Sequence, residues 1–397
     1  MKFFGYPRRD GRVGVRSHVL VIPTVICANS VAKEIARRVP GVVALPHSAG
    51  CDFNQDTNEA AVRILAGFGA NPNVYAALVV GLGCETIAAE DLAERIARTG
   101  KPTGVLRIQG SGGWEATVRR GVECASRWLA EAQAERRFPC PLSGLVVALE
   151  CGGSDAFSGL SANPAVGAAA DRIVAAGGTV ILSETTEMIG AEEILARRAR
   201  DARVARRIRE VVARAERRFA ATGLGRGEST TLAPGNIAGG LTTIVEKSLG
   251  CILKGGTSEI VACVHYGERV RARGLVIMDT PGHDVLSVTG MVAGGANIVV
   301  FTTGRGTPAG CPIAPTIKVG SNSALAEELP DVIDINAGEI IEGRTSCAEL
   351  GERIFQQILR VASGEQTWAE RHGHGEFAMF LDPAAAGICC SSSRPAV

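Results

Sequence analysis

The sequence carries almost no net charge: 42 Lys and Arg stand against 41 Asp and Glu, a formal +1. That balance excludes the basic surplus of a general nucleic-acid binder. With 46% apolar residues, it also excludes the low hydrophobicity of a disordered chain. No run reaches the ~18 apolar residues that would span a bilayer, so no membrane partner is expected. The N-terminus, MKFFGYPRRDGR, has no apolar signal core and no cleavage site, and a cytoplasmic location is expected. None of the 12 cysteines is spaced C-x-x-C, which removes zinc ribbons and thioredoxin motifs. Disulfides are rare in that compartment, so several cysteines are expected in the core as small hydrophobes. Other fingerprints fail on spacing. Gly81-Leu82-Gly83 continues to Thr86 where a dinucleotide turn needs glycine, Gly250–Gly255 has no P-loop lysine after it, and Gly152-Gly153-Ser154-Asp155-Ala156 lacks the last glycine of a hydrolase serine turn.

Glycine is plentiful, 49 of 397 residues, roughly twice the usual share. The glycines have no G-X-Y period and fall mostly after apolar runs. Length alone gives two or three domains. The order is strand, Gly/polar turn, helix, repeated. Strands are expected at 18–25, 42–46, 74–82, 104–109, 143–150, 179–182, 274–279, 297–302 and 332–336. Helices are expected at 57–69, 89–99, 114–136, 164–176, 284–293, 323–329 and 346–362, with a further helix ending at Arg38. This alternation implies an α/β fold of two Rossmann-like units with mostly parallel sheets. The reading divides the chain into an N-terminal α/β domain (1–138), a C-terminal α/β domain (139–383) and a loose tail (384–397). Phe138-Pro139-Cys140-Pro141 reads as a linker, because two prolines break helix and sheet alike. Residues 191–221 read as one long helix with an apolar stripe at Val204, Ile208, Val211, Val212, Ala215 and Phe219. Its stretch 197–218 holds ten arginines and reads as a solvated face, with no nucleic-acid partner. Residues 223–258 read as loop with a short helix. His372 and His374 read as a solvated loop.

The residues that carry chemistry fall at strand ends, where open parallel sheets bind ligands. Those ends carry Cys27, Asn29, His47, Cys51, Cys84, Glu85, Cys151, Ser154, Asp155, Glu184, Thr185, Asp279, His283, Asp284, Thr302, Thr303, Arg305 and Cys311. A polar cleft is therefore expected at the carboxyl ends of the strands, closed if the two rims face each other.

The motifs GYPRRDGRVGVRSHVLVIPTVICAN, NPNVYAALVVGLGCE, ECGGSDAFSGLSANPAVG, ILSETTEMIGAE, PGNIAGGLTTIVEKSLG, MDTPGHDVLSVTGMVAGGAN and FTTGRGTPAGCPIAPTIKV resemble the altronate/galactarate dehydratase family, from residue 5 to about 365. The resemblance implies a lyase, dependent on iron or another divalent metal, that dehydrates sugar acids to 2-keto-3-deoxy acids. One branch of the family is the large subunit of sulfolactate sulfo-lyase, which eliminates sulfite. The chain departs from the family at His283, where its dehydratases carry an aromatic residue, and in SAGCDFNQDTNE after His47. Both lie where substrate is read, so the exact substrate is not carried over.

Elimination from a 2-hydroxy carboxylate needs a base with a near-neutral pKa and a group that stabilises the developing dianion. His283 is the expected base, with Asp284 orienting its ring; Lys247 is the second candidate if burial lowers its pKa. Arg305, Ser154, Asp155, Thr302 and Thr303 are expected to hold the substrate. His47, Cys27, Cys84, Cys151 and Cys311 are the expected ligands of Fe2+ or of an iron–sulfur cluster; a hard ion would use Asp155 and Glu85 instead. The expected partners are a sugar acid or sulfonated hydroxy acid and a separate small β-rich subunit. That subunit stands for the small domain fused in some family members, since the matching region begins at Gly5. Homo-oligomerisation is left open, and a non-catalytic metabolite-binding subunit is the rival reading.

Overall fold

A computed structural model describes residues 1–52, 54–221 and 232–381, with side chains up to Arg218 in the helix that ends at Ala221. The side chain of Phe219, the first part of the 223–258 loop and the tail after Ala384 lie outside the described residues. In chain order the strands are β1 (Lys2–Pro7), β2 (Val13–Gly14), β3 (His18–Pro23), β4 (Val42–Ala44), β5 (Val74–Gly81), β6 (Thr103–Arg107) and β7 (Phe138–Pro141). They continue as β8 (Val146–Cys151), β9 (Thr179–Leu182), β10 (Ile260–Val264), β11 (Gly274–Met278), β12 (Ile298–Thr303), β13 (Thr316–Gly320) and β14 (Ile335–Asn336).

Two parallel sheets organise the molecule, as the alternating pattern requires. The first has the order β4-β3-β5-β6 and the second β10-β11-β9-β8-β12-β13-β14, with every neighbouring pair parallel. Their strands are apolar on both faces (HVLVIP, VYAALVVG, IVVFTT) and nearly fully buried, as helices on both sides demand. In each sheet the strand order reverses once. The chain leaves β3 for β4 on one side and returns with β5 on the other. It likewise leaves β8 for β9 and returns with β12. Each reversal opens a crevice beyond the strand ends.

The units are packed together. The helix Gln55–Ala70 lies against the helix Asp284–Ala293. A Cβ on Gly67 would meet the Ala293 carbonyl at 2.5 Å, so the backbones touch only because position 67 has no side chain. Asn71 donates to the carbonyls of Val292 and Ala296, and Asn73 to those of Asn297 and Ile313, at 2.8–2.9 Å.

Three expectations change. Phe138–Pro141 is not a free linker. It is β7, antiparallel to β1 at the edge of a small β2-β1-β7 sheet, and an edge strand tolerates proline because its outer side needs no donors. Phe3 of β1, with Val13 and Val15, is buried in the core of the second sheet beside Leu145, Val147 and Ile358. Residues 191–221 form two helices, Glu192–Arg197 and Ala202–Ala221. Between them Ile260 of β10 donates to the Arg198 carbonyl and accepts from the Arg200 amide, at 2.8 and 3.0 Å, which takes the backbone out of the helix. The sequence reading also left out β10 and β13.

Candidate functional site

Beyond β8 and β9 the apolar strands end in polar residues buried with them. Glu150 and Cys151 close β8; Ser183 and Glu184 follow β9; Glu187 lies on the short turn Thr185–Met188. Glu184 has φ +66°, alone among the described non-glycine residues, a backbone state that costs on the order of 1–3 kcal/mol and gathers at functional sites. The helix Ile244–Cys251 and the turn Ile252–Gly255 bring up Lys247, Cys251 and Lys254. Their i, i+4, i+7 spacing puts all three on one face.

These residues form one cluster. The thiols of Cys151 and Cys251 each donate to Glu187 Oε2 at 2.8 Å, and the two sulfurs are 3.3 Å apart. Lys247 Nζ donates to Glu187 Oε1. Lys254 Nζ donates to Glu184 Oε2 at 2.7 Å, and the same oxygen accepts the Cys151 amide at 2.9 Å. Glu150 Oε2 accepts from Ser287 at 2.7 Å and Ser183 at 3.2 Å, while Glu150 Oε1 and Glu184 Oε1 are buried without a partner.

Burial dominates the electrostatics, and neighbours decide its outcome. Burial, then the charge of Glu184, pushes Glu150 well up. Burial, then Glu187, raises Glu184. Burial acts upward on Glu187 too, but the ammonium groups of Lys247 and Lys254 override it and hold that carboxyl down. Burial, then the Cys251 sulfur, pushes the Cys151 thiol well up. For Lys247 and Lys254 burial acts downward, and the surrounding carboxylates and sulfurs reverse it, so both stay protonated. Lys247 is thus a fixed cation: burial does not turn it into a base.

Ligand atoms of Cys151, Glu187 and Cys251 lie within 4.8 Å of one another, a triad that can hold a metal ion. The donor set suits it. Binding would displace the thiol protons. Two thiolates with Glu184 and Glu187 would then set four negative charges against the two ammonium groups and one divalent ion. A groove of about 350 Å³ borders the cluster, lined among others by Ser154, Asn163, Lys247 and Cys251; small-molecule sites span roughly 300–1,000 Å³.

The expected residues divide. Cys151 and Lys247 are in the cluster, and Ser154 lines the groove. Asp284, raised by burial and then by the charge of Glu187, stands near it. His283 is exposed just before the helix Asp284–Ala293, and among the described residues no hydrogen bond joins its ring to Asp284. Arg305 is exposed on the loop after β12. Other expected ligands are already committed. Asp155 accepts from Ser158, Ser321 and Asn322 at 2.7–3.0 Å. The Thr302 hydroxyl donates to Asn163 at 2.7 Å, and that of Thr303 accepts the Gly306 amide at 3.0 Å.

The expected metal set does not assemble as one shell. His47 Nε2 contacts the Pro23 carbonyl at 2.7 Å and Nδ1 accepts the Ala49 amide at 3.1 Å, so both ring nitrogens brace loops. Cys311 packs in the core between the sheets, where burial pushes its thiol up to about 11. Cys27 and Cys84 belong to the rim of the first sheet, apart from the buried triad. Glu85 accepts from Thr24, Leu82 and Gly83 at 2.6–3.2 Å, which leaves it, like Asp155, poorly placed to serve a hard ion. Sequence reasoning missed Glu150, Glu187, Cys251 and Lys254. The spacing of Lys247, Cys251 and Lys254 was the available signal.

A family of sugar-acid dehydratases matches this sequence over most of its length. The chain belongs to it: residues 142–384 match the family described as D-galactarate/altronate dehydratase, C-terminal, and residues 5–133 match D-galactarate dehydratase/altronate hydrolase, second domain. Its relatives include the altronate dehydratase of Escherichia coli, 35% identical over 94% of this chain and 77% of the relative. The galactarate dehydratase (L-threo-forming) of the same organism is 36% identical over 95% and 76%. The (2R)-sulfolactate sulfo-lyase subunit beta of Chromohalobacter salexigens is 34% identical over 95% and 96%. The chain is an enzyme of the lyase class.

Proposed function

We propose that the chain eliminates water from a 2-hydroxy carboxylate such as altronate or galactarate, giving a 2-keto-3-deoxy acid. The carrying observation is the Cys151–Glu187–Cys251 triad with the fixed cation Lys247 beside a groove of substrate size. Removing the proton next to a carboxylate builds a dianion that water stabilises poorly. A preorganised positive charge lowers that cost. Lys247 offers such a charge at the groove wall, and Ser154 and Arg305 hold hydroxyl and carboxylate groups of the substrate. His283, its ring free for proton transfer, takes the α-proton. Asp284, its pKa raised, delivers a proton to the departing hydroxyl. When bound by Cys151, Glu187 and Cys251, a divalent ion, iron(II) in this reading, supplies Lewis-acid stabilisation of the same charge.

Elimination of sulfite is the second reading, favoured by the sulfo-lyase subunit, which is matched over 96% of its own length. Because that relative is a subunit, we also propose that a small β-rich partner docks over the strand-end rim here. A cytoplasmic setting, which keeps thiols reduced, suits the triad. The test is an anaerobic screen of aldonates, aldarates and sulfolactate with added iron(II), read as 2-keto acid or as pyruvate with sulfite. It is run on the chain alone and on the complex purified from its host. Cys151→Ser is expected to lose metal and turnover together. Full turnover by metal-free protein would overturn the reading.

A further inference from the structure

The first sheet has a reversal of its own, and cysteines ring it. Its strand order reverses between β4 and β5 about β3, which is where an open parallel sheet takes a ligand. The loop after β3 carries Cys27, the loop after β5 carries Cys84, and the loop after β4 carries Cys51. All three are exposed, whereas free cysteine is among the most buried of residue types.

The three loops are tied into one surface. The Ile26 amide donates to the Ala49 carbonyl at 3.0 Å, and the Thr86 amide donates to the Gly50 carbonyl at 2.9 Å. Asn29 Nδ2 donates to the His47 carbonyl at 2.7 Å. Thr24 Oγ1 donates to Glu85 Oε1 at 2.8 Å, and Glu85 Oε2 accepts the Gly83 amide at 2.6 Å. A Cβ on Gly50 would meet the Thr24 carbonyl at 2.3 Å, so the loops after β3 and β4 touch backbone to backbone. Of these groups Ile26, Gly50, Gly83 and Glu85 are immediate neighbours of the cysteines, so the ties hold the backbone beside each sulfur.

Spacing decides what such a site takes. A single tetrahedral ion with bonds of ~2.3 Å to sulfur sets its thiolates ~3.8 Å apart. Among the described residues, the one trio with all ligand atoms within 4.8 Å is Cys151, Glu187 and Cys251. Cys27, Cys51 and Cys84 therefore stand wider than one ion requires, on loops that the bonds above hold together. A cubane cluster, whose corner irons each take one thiolate, holds its ligands further apart. A cleft of about 740 Å³ borders Cys51 on the loop after β4.

We propose that Cys27, Cys51 and Cys84 bind a [4Fe–4S] cluster through three thiolates, leaving one iron without a protein sulfur ligand. This site is separate from the Cys151–Glu187–Cys251 triad and does not depend on the elimination assigned above. The test needs no substrate. The intact chain is reconstituted anaerobically with iron(III), sulfide and a dithiol that reduces half of the iron, then desalted. About four sulfide per chain are expected, with four iron for the cluster and one more where the Cys151–Glu187–Cys251 triad fills, and a broad visible absorbance bleached by dithionite. Cys27→Ser, Cys51→Ser and Cys84→Ser should each lose at least half of the bound sulfide, while Cys124→Ser keeps it. Alkylation mapped by mass spectrometry on the unmutated chain should show these three thiols becoming protected together, with Cys347 still reactive. Iron without sulfide, or sulfide retained in all three serine variants, would overturn the proposal. So would unchanged alkylation of the three thiols after reconstitution.

Discussion

A lone imidazole and a buried amine illustrate how position sets what a residue does. His283 is exposed before the helix Asp284–Ala293 and, in our reading, serves as the base. His283→Ala is expected to lower kcat by about two to four orders of magnitude with metal content unchanged; near-normal turnover would reduce the residue to shaping the rim. Lys318 is the opposite case. It lies mid-strand in β13, 1% exposed, with its ammonium 3.7 Å from the centre of the Phe301 ring and donating to the Ala309 carbonyl. Burial lowers its pKa to about 7, against the nearby acids Asp284, Asp334, Glu376 and Glu150, which pull it up. Below that value the lysine is charged in both states, and the folded state bears the cost of burying it. Between pH 7 and its ordinary value of 10.5 the unfolded chain binds the extra proton, so this group adds stability as pH rises, by up to ~1.4 kcal/mol per unit. Urea midpoints from pH 6.5 to 9.5 are expected to show that rise in the parent chain and a shallower one in Lys318→Met. Equal slopes would refute it. Of the cluster, Cys151 and Lys247 were legible as polar residues among apolar ones. Glu187 was not, because a buried carboxylate on a short turn looks like any solvent-facing one until its lysine is placed.

Among elements, those with a local signal were read most closely. The strand at 179–182 and the helix at 284–293 agree with the sequence reading to the residue, because a short apolar run and an apolar helix bounded by Pro-Gly and Gly-Gly each carry their own pattern. The small β2-β1-β7 sheet left no such signal. Its β1 and β7 partners lie more than 130 residues apart in sequence, and nothing local in FPCP announces a strand. β13 was hidden by Lys318, a charge in the middle of a buried strand. The seam between the helices Gln55–Ala70 and Asp284–Ala293 depends on Gly67. Gly67→Val puts a branched side chain against the Ala293 backbone and is expected to cost about 1–3 kcal/mol, measured as a lower denaturant midpoint. An unchanged midpoint would mean that the helices separate freely.

Across the whole molecule, the first strand is built into the core of the second sheet. Phe3 is fully buried there. Phe3→Ala is expected to destabilise the folded chain by about 3–5 kcal/mol, seen by denaturant titration. An effect near zero would show that the second sheet closes its core without it. The arrangement also bears on synthesis. Phe3, Val13 and Val15 leave the ribosome about 300 residues or more before Ile317, Ile354 and Ile358, which complete their core. At ~5–20 residues per second, the intervening chain takes on the order of tens of seconds to appear. The first sheet's strands, β3 to β6, are all present early in that interval. β1 can pair with β2 and β7 well before then, but the core around Phe3 stays open on one side until that late stretch arrives.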